Sequence, residues 1–422
     1  MELAGNGLRV NFDLIPVDEF WNVGYEIEHK MHRIHAYPAK FPAFITTKAI
    51  QYAEERNISV KTVADVFCGC GTTSYEACRN NKKFWGCDIN PVATLIAQVK
   101  SKKYKDETLL KYFEDILKLY ESSDVNLEHY SINERITYWY SENQIQDLIR
   151  LKTAIESTVP PRSHYLKFFL CAFSNILKGT SFWLTKSIKP QTDPNKKPAE
   201  VIKAFKYQFK FMREANLTND LSPRNQVKIE TVSFLERNFH KPFVDLLITS
   251  PPYVTSYEYA DLHQLSTLWL GYTEDYTSLR KGTIGSLFRS NDFNNDIKNL
   301  NNTGENIVFQ LWNVDKKKAR AAARYYLDMQ KSVKKCYKIL NNNGMALFVI
   351  GNTEFKGVKM NNALHLIESM KKSGFSDIDI VRRKISNKNL PPHRDEIGRF
   401  TNDKNSRKIY AEEYIVIGRK YE

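Results

Sequence analysis

The sequence predicts an α/β fold in which a parallel sheet carries helices on its faces and is split by a helical insertion. Three observations carry this. Residues 62–100 read strand, glycine loop, helix, strand, helix. From about Tyr104 to Gln226 the chain turns helical without a convincing strand, and from Val227 strand signals return to the end.

Each element has its own signal. "TVADVF" and "KKFWGCDIN" are short apolar runs of strand length, separated by "CGCG" and the helical "TTSYEACRNN", and "PVATLIAQVK" opens on a proline suited to a first helical turn. In the middle, "SENQIQDLIRLKTAIEST", "SHYLKFFLCAFSNILKG" and "PAEVIKAFKYQFKFMREAN" carry apolar residues at helical spacing, the last after a basic, proline-broken loop, "KSIKPQTDPNKKP". Beyond it, "VKIETV" and "VDLLITS" read as strands. A long helix aligns Met329, Val333, Cys336 and Leu340, and "GMALFVIGN" gives another strand. A helix near "ALHLIESMKKSG" precedes two terminal strands, "DIDIVRRKI" and "EEYIVIGRK". The asparagine-rich segment from Tyr272 to Asp315 reads as an inserted loop or small subdomain. The boundaries are therefore 1–103, 104–226 and 227–422, the last with a polar insert at 272–315.

Composition narrows the class. A chain of 422 residues with 42% hydrophobic and 13% aromatic content suits two or three packed units sharing substantial cores. No apolar run reaches membrane-spanning length and the first residues lack a signal-peptide pattern, so a soluble, cytoplasmic protein without membrane contact is expected. Six cysteines are few, and four of them (Cys68, Cys70, Cys78, Cys87) cluster in one segment, which is not a disulfide framework. Cys68 and Cys70 are too close for a zinc knuckle and no matching pair follows, so no metal is expected. The formal net charge of +14 favours a polyanionic partner.

The first chemical motif is "DVFCGCGTTSYEA", residues 65–77. Gly69 and Gly71 stand at a strand-to-helix turn, where missing side chains let a ligand approach the backbone. Thr73 and Glu76 have capping-box spacing. Asp88, 17 residues beyond Gly71, ends the next strand and is placed to accept hydrogen bonds from two ribose hydroxyls. The loop lacks the lysine of a phosphate-binding loop and is shorter than a dinucleotide fingerprint, so S-adenosylmethionine fits better than ATP or a dinucleotide. Asp65 reads either as part of this site or as a structural acid.

The second motif is "LLITSPPYVTSYEYAD", residues 246–261. Its apolar run is a buried strand that stops at Ser250-Pro251-Pro252-Tyr253, because two prolines remove two backbone donors and hold the chain extended. A hydroxyl, a rigid carbonyl and an aromatic ring are thereby fixed at a strand tip.

Together "HAYPAKFPAFI", "DVFCGCGTTSYEA", "GCDINPVA" and "DLLITSPPYVTSYEYADLHQLSTLWLG" resemble four successive motifs of the amino-methylating DNA methyltransferases, in particular the cytosine-N4 branch with its TSPPY signature. "KISNKNLPPHRDEIGRFT" and "EEYIVIGRK" are similar to that branch as well. The resemblance implies a Rossmann-like, seven-stranded, S-adenosylmethionine-dependent methyltransferase sheet with a helical insertion, acting on double-stranded DNA, with a companion restriction endonuclease as a further partner. It makes 1–103 the cofactor-binding half, 104–226 the candidate DNA-recognition region and 227–422 the catalytic half. By the same resemblance Tyr37, Lys40, Phe41 and Pro42 lie against the methionine part of the cofactor. Asp65, Phe67, Cys68, Gly69, Gly71 and Thr72 cradle it, and Asp88 with Ile89 holds the ribose side. Ser250, Pro251, Pro252 and Tyr253 receive the target base. The family often places an acid after the strand preceding the SPPY strand to contact adenine; here Thr231 and Ser233 stand there, with Glu230 just before.

The chemistry agrees with that assignment. An exocyclic amine is a poor nucleophile because its lone pair is delocalised into the ring, and hydrogen-bond acceptors on its two protons localise it. The cytosine would be flipped out of the duplex and stacked on Tyr253. Methylation at ring carbon five would need a cysteine nucleophile beside a proline, and no Pro-Cys dipeptide occurs. Cys68 and Cys70 therefore read as small residues filling a turn, and His35 and His263 as structural. For DNA contact the candidates are the Lys186–Lys197 loop, the helices around it, the 272–315 insert and "DKKKARAAARYY". The alternatives are an adenine-N6 enzyme, an RNA amine methyltransferase, and a catalytically silent DNA-binding regulator with this fold.

Overall fold

A computed structural model describes residues 2–4, 7–22, 27–38, 40–185, 187, 189–254, 259–287, 292–385, 393–394, 400–401, 403, 407–408 and 412–422. Its main sheet contains β1 (Thr62–Asp65), β2 (Lys83–Asp88), β3 (Val227–Thr231), β4 (Val244–Thr249), β5 (Leu340–Ile350), β6 (Ser376–Lys384) and β7 (Glu412–Arg419). The order is β3-β2-β1-β4-β5-β7-β6. Strands β3, β2, β1, β4 and β5 pair in parallel, with Val63 beside Leu246 and Ile248 beside Leu347, while β7 runs antiparallel to both β5 and β6. This is the Rossmann-like sheet of S-adenosylmethionine-dependent methyltransferases. The chain leaves β1 towards β2 on one side and returns at β4 on the other, which opens a crevice at the carboxyl ends of β1 and β4.

Alternation along the buried strands separates two cores. Val63, Leu246, Ile248, Leu347 and Ile415 pack against α1 (Ala43–Glu54), which contributes Ile45, Ala49 and Ala53. Ala64, Leu247, Ala346, Phe348 and Val416 face the other way, onto residues of two helices nearer the C-terminus (Val333, Cys336, Leu366, Ile367). Helix α2 (Thr72–Arg79) starts on Gly71, and α3 (Pro91–Lys100) is capped by Asn90, whose side chain accepts from the N–H groups of Val92 and Ala93.

The middle region forms α4 (Asp106–Ser122), α5 (Glu134–Trp139), α6 (Glu142–Thr158), α7 (His164–Ile176) and α8 (Val201–Leu217). Its apolar faces do not close on themselves. Leu148, Phe168, Phe169, Phe205 and Phe209 share one core with Tyr75 of α2 and Val92, Leu95, Ile96 and Val99 of α3. The insertion is thus fastened to the cofactor-half helices.

The segment after the SPPY strand forms α9 (Tyr259–Leu262), α10 (Gln264–Trp269), α11 (Phe293–Lys298) and α12 (Asn302–Trp312), followed by α13 (Lys316–Ile339) and α14 (Asn362–Ser373). Of the two readings of 272–315, inserted loop or small subdomain, the helices correspond to the second. Ile307, Val308 and Leu311 of α12 are buried against Ala319, Ala322, Ala323 and Tyr326 of α13. The alanine face of α13 admits a close helix neighbour, which the polar composition of 272–315 concealed. The expected long-helix stripe is present in Met329, Val333 and Cys336, while Leu340 already belongs to β5. Most of "KISNKNLPPHRDEIGRFT" lies outside the described residues.

Candidate active site at the carboxyl end of the sheet

The glycine turn links β1 to α2. Gly69 and Gly71 both have positive φ, +47° and +74°, a region that L side chains adopt only with strain. Their surroundings differ. A Cβ on Gly69 would stand 3.6 Å from the Tyr37 hydroxyl, in ordinary contact, so Tyr37 lies over the turn. A Cβ on Gly71 would stand 2.5 Å from the Ala97 Cβ and 2.7 Å from its Cα, so the second glycine exists to let α3 pack against the turn.

Asp88, at the end of β2, accepts the Gly69 N–H at 2.9 Å through Oδ2 and the Asn90 N–H at 2.8 Å through Oδ1. The carboxylate has about four lone-pair sites, so acceptor capacity is left beside these backbone donors for a hydroxyl of a diol. Burial pushes its carboxyl above the usual range, opposed by those backbone donors. Thr72 adds a buried hydroxyl with no hydrogen-bond partner among the described residues, in the first turn of the helix that follows the glycines. A diol-accepting acid, an open glycine backbone, an orphaned hydroxyl and the absence of a loop lysine together suit a nucleoside cofactor without phosphates.

Asp65 is a bracket. It is 3% exposed and accepts the Phe67 N–H, the Thr73 hydroxyl at 2.8 Å and the Thr249 hydroxyl at 2.6 Å. Burial raises its carboxyl to about 6, against the effect of those three donors. The capping-box reading is corrected here: Thr73 is spent on Asp65, and Glu76 pairs with His32 Nε2 at 2.7 Å and with Arg79.

The other expected cofactor residues are spread around this turn. Lys40 donates to Glu28 at 2.8 Å and to the His32 carbonyl, Phe41 packs into the core under α1, and Pro42 caps that helix. Phe67 packs edge-on against Phe234. Cys68 and Cys70 are buried free thiols, Cys68 pushed well up by burial, which suits inert filling. Ile89 is overlaid by Gly282, where a Cβ would meet its Cδ1 at 2.0 Å. Thr231 bonds Thr94 at 2.6 Å and sits beside Asp88 in register, whereas Glu230, one residue earlier on the strand, is paired with Arg237 and Lys228.

Several contacts at the site escaped sequence reasoning. His263 meets Asn90 at 2.6 Å and its ring lies 5.1 Å from that of Tyr37, so the HAYPAKF, GCDIN and SPPY segments touch at one point. Burial lowers His263 to about 3 and His35 to about 4, which keeps both neutral and in structural roles. Beneath the turn, the buried Lys100 Nζ is 3.6 Å from Cys70 Sγ. Motif spacing carries no trace of Gly282, because it arrives from the insert.

At the tip of β4, Ser250 donates its hydroxyl proton to the Val349 carbonyl at 3.1 Å. Its oxygen lone pairs are therefore left for an incoming N–H. Pro251 is buried, Pro252 half-buried, and the Tyr253 ring lies against Gly351, whose Cβ would be 3.5 Å away. Burial, then the Glu413 carboxylate, pushes the Tyr253 phenol well up, so it remains a donor, here to Glu413 at 3.0 Å. The next residue is braced too: Lys318 donates to the Val254 carbonyl at 3.1 Å. With that hydrogen bond and with Ala319, Ala322, Tyr325 and Tyr326 buried, "DKKKARAAARYY" is a packed helix start on which Lys316, Lys317 and Arg320 remain exposed. The Lys186–Lys197 loop is likewise held at Lys196, whose Nζ donates to the carbonyls of Lys178 and Trp183 at 2.8 Å each; Lys186 itself lies outside the described residues.

Comparison with known proteins adds to this geometry. Residues 11–99 match a family model described as DNA methylase, the N6/N4 methyltransferase group. The Type II methyltransferase M.MvaI of Kocuria varians is 24% identical over 388 residues, 85% of each chain. The Type II methyltransferase M.MjaII of Methanocaldococcus jannaschii is 33% identical over 98 residues, 23% of this chain and 18% of its own. A solved tRNA (m1A58) methyltransferase from Aquifex aeolicus aligns with 93% of this chain and 76% of its own at 10% identity and a TM-score of 0.32; the fold assignment rests on strand order instead.

These matches support an amino-methylating methyltransferase. S-adenosylmethionine is the cofactor that the sheet, the glycine turn and the family match support. Among the described residues no three His, Cys, Asp or Glu side chains group to hold a metal, and no helix is long and apolar enough to cross a membrane.

Proposed function

We propose that this protein is a site-specific DNA methyltransferase that methylates the exocyclic N4 amine of a flipped cytosine, as the modification enzyme of a restriction-modification system. The observation that carries the reading is the Ser250 hydroxyl, which gives its proton to the Val349 carbonyl and so offers lone pairs at the strand tip. S-adenosylmethionine, when bound, supplies an activated sulfonium methyl. The chain's own residues do the rest. Ser250 Oγ and the Pro251 carbonyl accept hydrogen bonds from the two amine N–H groups, which draws the nitrogen lone pair out of the ring, and Pro252 holds that carbonyl rigid. The Tyr253 ring is the stacking surface for the base. After transfer, the extra proton on nitrogen leaves to Ser250 or water, so neutral, buried His35 and His263 are not required as bases.

Cytosine rather than adenine follows from Ser250, which stands where adenine enzymes carry Asp or Asn. A hydroxyl and a carbonyl supply the two acceptors that the amine N–H groups need. Duplex DNA as the substrate is supported by the net charge of +14 and the match to a DNA methylase family. The test digests DNA treated with protein and labelled cofactor to nucleosides and separates them by chromatography and mass. N4-methylcytosine is expected; N6-methyladenine as sole product would overturn the base assignment, and label only in RNA would overturn the DNA reading.

A further inference from the structure

Tyr253 does not end in solvent. Its hydroxyl donates to Oε1 of Glu413 on β7, 160 residues away, and Oε2 of the same carboxylate receives Nη2 of Arg383 on β6. Glu413 and Arg383 are directly paired in the antiparallel register. Arg383 is 3% exposed, and its guanidinium lies 5.7 Å over the ring of Phe44, in the first turn of α1 directly after the HAYPAKF segment. A continuous set of contacts thus runs from the SPPY tyrosine through a buried ion pair to the segment that borders the cofactor turn.

Stability alone is a weak reason for this arrangement. Taking a carboxylate and a guanidinium out of water costs about what their attraction returns, and apolar residues in such positions are commonly as good or better. The next two residues of β7 after Glu413, Tyr414 beside Ile350 and Ile415 beside Val349, show that apolar pairs fit the sheet here. The carboxylate does something those pairs do not: it holds a phenol by its hydroxyl while Gly351 lies against the ring face. The ring is constrained both along its long axis and across its plane.

We propose that Glu413 and Arg383 are positioning residues for the target base, fixing the Tyr253 ring before a base arrives so that stacking needs no reordering of the side chain. This rests on the base-methylating role given to the SPPY strand under Proposed function. It also accounts for tyrosine rather than phenylalanine at the stacking position, since the hydroxyl is the handle.

The experiment uses the full chain and three variants: Tyr253→Phe, Glu413→Gln, and the two combined. Phenylalanine keeps the stacking face and removes the handle; glutamine keeps the shape and weakens the hold. Steady-state methyl transfer to duplex DNA, cofactor affinity by calorimetry, and fluorescence of a 2-aminopurine at the target position are measured, with melting temperature as the folding control. Each single variant is expected to lose about tenfold in kcat and to change the flipped-base fluorescence, with cofactor affinity within twofold of the parent. The combined variant is expected to lose no more than Tyr253→Phe alone, because both changes act on the same hydrogen bond. An active parent whose Tyr253→Phe and Glu413→Gln variants stay within twofold in kcat and fluorescence overturns the positioning role alone. Losses that multiply in the double variant overturn it as well. A parent that transfers no methyl group to DNA overturns the reading beneath it, and the role with it.

Discussion

Thr249 and Asp65, 184 residues apart in sequence, meet at the crevice of the sheet, where the Thr249 hydroxyl donates to the Asp65 carboxyl at 2.6 Å. Thr249 is the last residue before Ser250, and Asp65 ends the strand that enters the glycine turn. One hydrogen bond thus joins the base side of the site to the cofactor side at the point where the strand order reverses.

Removing it should be felt in both halves. Thr249→Val keeps the volume and leaves a buried carboxyl oxygen short of a donor, so a loss of about 1 to 3 kcal/mol is expected. Urea denaturation reads it. An unchanged midpoint would mean that the hydrogen bond is not formed in solution.

Asp65 also gives a pH signature. Its folded carboxyl is raised by burial to about 6 from an ordinary 3.8, so the folded state binds more protons than the unfolded state in that interval. Stability from this group is therefore fullest below pH 4, falls as pH rises towards 6 by about 3 kcal/mol, and is flat above. Stability curves of the parent and Asp65→Asn, taken from pH 4 to 7, should differ in slope only there.

The two glycines of the turn separate packing from ligand approach. Gly71→Ala drives a Cβ into the backbone of α3 at positive φ, and a loss of about 2 to 4 kcal/mol in folding stability is expected. Gly69→Ala meets only ordinary contact with Tyr37, so its strain is about 1 to 2 kcal/mol and the fold should survive. Thermal melts rank the pair; equal losses would contradict the geometry.

Asp88→Asn is expected to weaken S-adenosylmethionine binding by roughly 1.5 to 3 kcal/mol for each charge-assisted hydrogen bond it removes, measured by calorimetry. Ser250→Ala should leave that affinity intact while cutting kcat by roughly tenfold to a hundredfold, because the missing acceptor matters as the lone pair localises. A parallel fall of both quantities in Ser250→Ala would place the serine in cofactor binding instead.

The lysines of the basic loop are expected to divide. Lys196→Met removes two hydrogen bonds to backbone carbonyls and should cost roughly 1 to 2 kcal/mol of stability. Lys197, exposed, is the residue whose neutralisation should flatten the salt dependence of DNA binding by about one unit of slope. A titration of affinity against salt for Lys197→Gln decides it.

What the sequence determined by itself is local and periodic. Apolar runs of strand length, the glycine turn, the double proline after Thr249 and Asp88 at a strand end are set by residues a few positions apart, and they named the seven strands, the helical middle and most of the candidate site. Tertiary structure decided which neighbours those residues meet. Thr73 and Glu76 have the spacing of a helix cap, but a buried Asp65 and a buried His32 compete for them and win, since an unsatisfied group inside costs more than an uncapped helix end. Lys196 and Lys318 stand in basic runs that read as candidates for DNA contact, and only the folded chain brings backbone carbonyls within their reach. Gly282 on Ile89, His263 on Asn90, and Tyr253 on Glu413 join residues more than a hundred positions apart, and no periodicity encodes such meetings. They exist because the sheet brings the ends of β1, β4, β5 and β7 to one edge, where side chains find partners by geometry rather than by sequence distance.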